Sequence, residues 1–96
     1  MELFNLEAIQ PTDAVRERNA RRAGKGHDYR CMVCSLPVDT ESPKTVWVHM
    51  SYQGNLYPSS VSCEEAESLP EGSMYMHPVG PECAKKIPVE YKGGER

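Results

Sequence analysis

What this chain does not contain narrows its nature before any motif is read. No stretch is apolar for long enough to span a bilayer or to serve as the core of an export signal, and the opening residues Met1-Glu2-Leu3-Phe4-Asn5-Leu6-Glu7 carry acid where a leader carries base. The expected location is a reducing cytoplasm without membrane attachment, which disfavours disulfides as the staple of the fold. Aromatic residues are few, one Phe, one Trp and five Tyr among 96 residues, and eight prolines and seven glycines cut the chain into short pieces. One domain of this length buries only about 60% of the surface its unfolded chain exposes, so a staple is expected, and a metal ion is the remaining candidate. Catalytic signatures are missing as well. There is no His-Glu-x-x-His, no deaminase pairing of His-x-Glu with Pro-Cys-x-x-Cys, and no thioredoxin-like strand and helix around a Cys-x-x-Cys, so no enzymatic activity is expected.

Charge is scarce in sum and uneven in place. The net charge of -3 gives no blanket affinity for nucleic acid. Between Arg16 and Arg30, however, Arg16, Arg18, Arg21, Arg22, Lys25 and Arg30 face only Glu17 and Asp28, and between Cys63 and Glu82 the charged residues are all acids. The chain thus carries a basic arm and an acidic belt.

Present, and organising the rest, are residues with metal chemistry. Cys31 and Cys34 form a Cys-x2-Cys pair, a spacing that lets two soft sulfurs chelate one borderline-soft cation from the tip of a turn. Ser35 follows, where a glycine would turn the chain back more easily. Cys83 lies just after Gly80-Pro81-Glu82, a helix start whose exposed amides are expected to stabilise a thiolate. For the fourth ligand His49, His77 and Cys63 compete, with His49 favoured because it ends the strand Thr45-Val46-Trp47-Val48-His49-Met50. Alternation puts Val46, Val48 and Met50 on one face of that strand and Trp47 and His49 on the other. His27 reads as an ordinary surface residue.

Around these residues the chain predicts short elements. Thr12 and Asp13 cap a helix over Ala14 to Ala23 that Gly24 stops, and Lys25 to Asp28 reads as a linker. Gln53-Gly54-Asn55 turns the chain so that Leu56-Tyr57 pairs with the preceding strand. Ser62 and Glu65 have capping-box spacing for a short helix over Cys63 to Leu69, and Ser73 to His77 reads as another strand. The expected organisation is an N-terminal arm with a short helix over 1–28, a zinc-binding domain over 29–88 and a flexible polar tail over 89–96, making a small α+β protein stapled by Zn2+.

The order Cys-x2-Cys, a strand ending Trp-Val-His, a glycine turn and then Pro78-Val79-Gly80-Pro81-Glu82-Cys83-Ala84-Lys85-Lys86-Ile87 resembles a group of small bacteriophage-encoded zinc-ribbon or treble-clef-like proteins. The resemblance spans Tyr29 to Ile87. It implies a knuckle, short antiparallel strands and a short C-terminal helix, with Cys31, Cys34, His49 and Cys83 as zinc ligands and the host cytoplasm as location. This chain departs from the pattern at Ser35 and at His77, where an aromatic or apolar residue is expected. Two function classes follow. One is a protein-binding module, a phage factor that engages or inhibits a host protein through the acidic belt and the aromatics Trp47, Tyr52, Tyr57 and Tyr75. The other is a nucleic-acid binder gripping phosphates with Arg16, Arg18, Arg21 and Arg22.

Overall fold

The computed structural model describes residues 2–22 and 29–92. It is a small α+β fold of short antiparallel strand pairs and short helices. The strands are β1 (Phe4–Asn5), β2 (Tyr29–Arg30), β3 (Pro37–Val38), β4 (Val46–His49), β5 (Asn55–Leu56) and β6 (Met76–Val79). The helices are α1 (Asp13–Ala20), α2 (Cys63–Glu67) and α3 (Pro81–Ala84), with 3-10 turns over Leu6–Ile9 and Val89–Tyr91. Proline and glycine keep every strand short, as the composition requires.

The β4–β6 pair is the spine. Val46 faces Val79, Trp47 faces Pro78, Val48 faces His77 and His49 faces Met76. Pro78 is tolerated within β6 because a two-stranded pair leaves one side of each strand free of ladder bonds, and its carbonyl accepts from Met32 N–H at 3.1 Å. The expected strand over Ser73 to His77 lies three residues further on, because Tyr75 adopts φ 63° and breaks the extended run. Beyond the break the pairing resumes, with Met74 N–H donating to Met50 O at 2.8 Å.

The helix caps form where the sequence places them. Thr12 Oγ1 accepts from Val15 N–H at the start of α1, and Ser62 Oγ accepts from Glu65 N–H at the start of α2. The expected pairing of Leu56 with the preceding strand also forms, as a bridge to Met50. The helix stop at Gly24 and the linker over 25–28, with His27, lie outside the described residues.

One core runs from end to end. Leu6, Val33, Val38, Val48, Met50, Leu56, Val79, Ala84, Ile87 and Tyr91 are buried together, with Phe4 and Ile9 packed against them. The N-terminal segment is therefore built into the domain rather than set off as an arm: β1 pairs with β5, and Leu6 is 2% exposed. The poor apolar content of α1 is offset by polar docking. Its buried Asn19 donates from Nδ2 to Cys34 O at 2.9 Å and accepts from Arg30 Nη1 at 3.3 Å, and Gln10 upstream donates to Met32 O at 3.3 Å. Of the expected tail over 89–96, the described residues 89–92 are anchored through Tyr91, which is buried, lies with its ring 5.6 Å from that of Phe4 and donates to Glu2 O at 3.1 Å. A short apolar cluster at each terminus could not bury itself alone, and each supplies what the other lacks. Among the described residues no helix is long and apolar enough to cross a membrane.

Candidate metal centre

The hairpin β2–β3 carries Cys31 and Cys34 at its tip. Tyr29 faces Val38 and Arg30 faces Pro37, and the turn between them is closed by Cys31 N–H to Leu36 O at 2.8 Å and Ser35 N–H to Cys31 O at 2.9 Å. Ser35 has φ 69°, the left-handed conformation that explains why a glycine is expected there. Two bonds seat this tip against the end of β6: Met32 N–H to Pro78 O, and Gly80 N–H to Cys31 Sγ at 3.3 Å. Just beyond Gly80, Pro81 opens α3, and Cys83 follows within its single turn.

These elements bring three sulfurs together. The Sγ atoms of Cys31, Cys34 and Cys83 all lie within 4.8 Å of one another, with Cys31 buried and the other two half-buried. Ligands at the usual Zn–S length stand about 3.8 Å apart around a tetrahedron, so the spacing suits one ion with only small side-chain adjustment. The cluster could hold a metal ion.

The donors around the cluster favour one sulfur over another. Burial raises the proton affinity of Cys31, but amide donors from Cys34, Gly80 and Val33 outweigh it and hold the thiol below its ordinary value. Cys83 is pushed well above the ordinary thiol range, first by burial and then by the charge of Cys31 and Cys34. The helix-start amides thus do not make Cys83 the thiolate, as the sequence suggests. The Gly80 N–H donates to Cys31 instead, and a bound cation would favour the thiolate form of Cys83.

His49 stands outside the cluster, against expectation. It lies at the Met76 end of the β4–β6 pair, whereas the cysteines gather at the Val46–Val79 end, roughly 10 Å away along three strand residues. Its ring is 2% exposed and fully engaged: Nδ1 meets Val61 O at 3.3 Å, Nε2 meets Ser73 Oγ at 2.7 Å, and Tyr57 packs 4.8 Å from it. A carbonyl can only accept, so Nδ1 carries a proton, and in the neutral ring Ser73 Oγ donates to Nε2. Burial depresses its basicity, against a smaller opposing effect of the Val61 carbonyl. The strand alternation itself holds, since Trp47 and His49 line the same cleft while Val48 and Met50 join the core.

The remaining candidates are dispersed. His77 faces Val48 across the pair and bonds Met74 O through Nε2 at 2.8 Å. Cys63 opens α2 at the wall of the Trp47 cleft, away from the other sulfurs. Arg18 on α1 and Arg21 and Arg22 just after it are exposed, while Arg16 is half-buried with its Nε shielded and lacking a hydrogen-bond partner among the described residues. Trp47 is half-buried and meets Tyr29 edge-on at 6.2 Å. Tyr52 and Tyr75 are exposed, but Tyr57 is a core residue whose hydroxyl donates to Gly72 O at 2.7 Å, so it is no surface anchor. Sequence reasoning missed Gly80, Asn19 and Ser73 as supports. Each acts on a partner at least eleven residues away, and only an amide or a short polar side chain marks it.

Comparison of the chain with protein-family models, with curated proteins and with solved structures gave no match.

Proposed function

We propose that Cys31, Cys34 and Cys83 hold one structural zinc ion in a treble-clef-like arrangement, and that the domain so stapled is a non-enzymatic module that binds another protein. The observation that carries the metal half is the convergence of a hairpin-tip pair and a helix-start cysteine on one point. An all-sulfur set suits a borderline-soft d10 cation, which would tie the knuckle to α3 beyond the core contacts of Val33, Ala84 and Ile87. Against catalysis stands the make-up of the cluster: among the described residues no histidine or carboxylate joins the three sulfurs to act as a general base. Elemental analysis of protein purified without chelator is expected to find one zinc per chain. Replacement of zinc by cobalt should give thiolate charge-transfer bands for three sulfurs, with a fourth ligand that survives in both His49→Ala and His77→Ala.

The protein-binding half is supported by exposed aromatics next to an acidic surface, and by the likeness to small phage-encoded zinc proteins, which extends the reading to a phage factor engaging a host protein in the host cytoplasm. Capture from host lysate by tagged protein, lost on chelation, tests it. Recovery of the same proteins by chelated and zinc-loaded chain would refute it. The exposed Arg18, Arg21 and Arg22 favour a second reading, a nucleic-acid binder. Titration with labelled DNA and RNA across a salt series decides between the two, because phosphate contacts weaken steeply with salt.

A further inference from the structure

Among the described residues a cleft opens at the opposite end of the β4–β6 pair from the cysteines. It encloses about 600 Å³ between Trp47 on β4, Tyr75 and Met76 at the start of β6, and Ser59, Ser60 and Ser62 on the loop before α2. The 3-10 turn at the C-terminus closes one side, tied in by Ser59 N–H to Glu90 O at 2.7 Å, with Tyr91 in the wall. No wall residue carries a positive charge, because His49 is held neutral and no Lys or Arg occurs anywhere from Thr45 to Ala84.

Negative charge is concentrated beside it. α2 starts at the cleft wall with Ser62 and Cys63 and carries Glu64, Glu65 and Glu67, all exposed and none in an ion pair among the described residues. The other acids of this half are committed elsewhere. Glu71 accepts from Ser51 Oγ and Asn55 Nδ2, and Glu82 pairs with Lys85. Tyr75 links rim to wall: its hydroxyl donates to Glu67 Oε1 at 2.5 Å while its ring stays 55% exposed. A tyrosine at φ 63° is strained, so its outward pose is maintained at a cost in stability.

From this arrangement we infer that the Trp47–Tyr75 cleft receives an arginine-bearing segment of a partner protein. The inference rests on the protein-binding reading above and names the surface and the chemistry of the partner. A guanidinium is planar, stacks on aromatic faces and bonds carboxylates with two parallel donors, which matches aromatic walls joined through Tyr75 to Glu67, on a helix that also carries Glu64 and Glu65. A phosphate-bearing polymer would meet a wall without a cation and a rim of like charge. The chain's own Arg18, Arg21 and Arg22 offer a second copy as a rival occupant. That contact would join unlike surfaces, which must close into a ring or run on into open assemblies, so a separate partner is preferred.

Trp47 is the single tryptophan, so its fluorescence reports on the cleft in the intact chain. Titration with an alternating Gly-Arg octapeptide should give a saturable change that weakens as salt rises, and the Gly-Glu counterpart should give none. Tyr75→Ser and the double change Glu64→Gln with Glu67→Gln should each weaken the Gly-Arg peptide by about tenfold or more, with far-UV spectra unchanged. No saturable change, or undiminished affinity in both variants, overturns the proposal. Capture of a host protein that both variants retain overturns the cleft while leaving the protein-binding reading intact, whereas peptide binding without any captured protein refutes that reading alone. Self-association in sedimentation that disappears when Arg18, Arg21 and Arg22 become Gln replaces the partner protein by a second copy and overturns the assignment.

Discussion

The two ends of the β4–β6 pair hold groups of similar chemistry and treat them oppositely. At the Val46–Val79 end three sulfurs lie within 4.8 Å of one another with the Gly80 amide directed at Cys31, so the cluster could hold a metal ion. At the His49–Met76 end an imidazole of equal ligating capacity has both nitrogens bonded to a carbonyl and a hydroxyl, and neither is left for an ion. Ligand capability is a property of the residue, but ligation depends on whether the surroundings have already satisfied it.

The sharpest way to break this contrast is to remove one member from each end. Cys83→Ala should abolish zinc binding and unfold the domain, since the binding free energy is part of the folding free energy and the whole stability of a small domain is on the order of 5 to 15 kcal/mol. Amide spectra and metal content report it, and a folded, zinc-loaded variant removes Cys83 from the site. His49→Ala should keep its zinc and yet lose about 2 to 4 kcal/mol in urea unfolding, from the cavity and from the stranded Val61 carbonyl and Ser73 hydroxyl. Zinc lost from a still folded His49→Ala would return His49 to the metal.

Smaller changes sharpen the same comparison. Ser35→Gly should stabilise the knuckle by about 1 kcal/mol, because a non-glycine residue in the left-handed region carries a penalty of that order. An unchanged urea midpoint would mean that the turn is not held at positive φ. Acidification reports on the histidine end. His49 is less basic folded than unfolded, so the unfolded chain binds the extra proton, and the stability this histidine contributes, present above about pH 6.5, is lost as pH falls below it. Comparing midpoints at neutral and mildly acidic pH for the parent and for His49→Gln isolates that component, and equal slopes would deny it. Cys63→Ser should leave zinc content unchanged and stability within about 0.5 kcal/mol, the least effect of the set, because Cys63 belongs to the cleft and not to the cluster. A loss of metal there would redraw the site.

Local features were legible in the residues because they depend on neighbours in the chain. Thr12 and Ser62 cap helices through amides three residues on, Pro81 opens α3, and the Cys-x2-Cys pair forms a turn, all within a few bonds' reach. The helix-start position of Cys83 was legible as well, whereas the Gly80 amide at that start donates to Cys31 and not to Cys83. Composition likewise dictated short strands and one small core.

What the tertiary structure alone decided was which end of a strand meets which element. Alternation shows the face on which His49 lies, but not that the knuckle docks at the other end of β4, a choice made by Met32 and Gly80 across more than forty residues of chain. The same holds for the termini, which read as an arm and a tail and instead close one core through Phe4, Leu6 and Tyr91. Periodicity is a one-dimensional signal with no information about distant partners, and burial in a domain this small is decided by those partners.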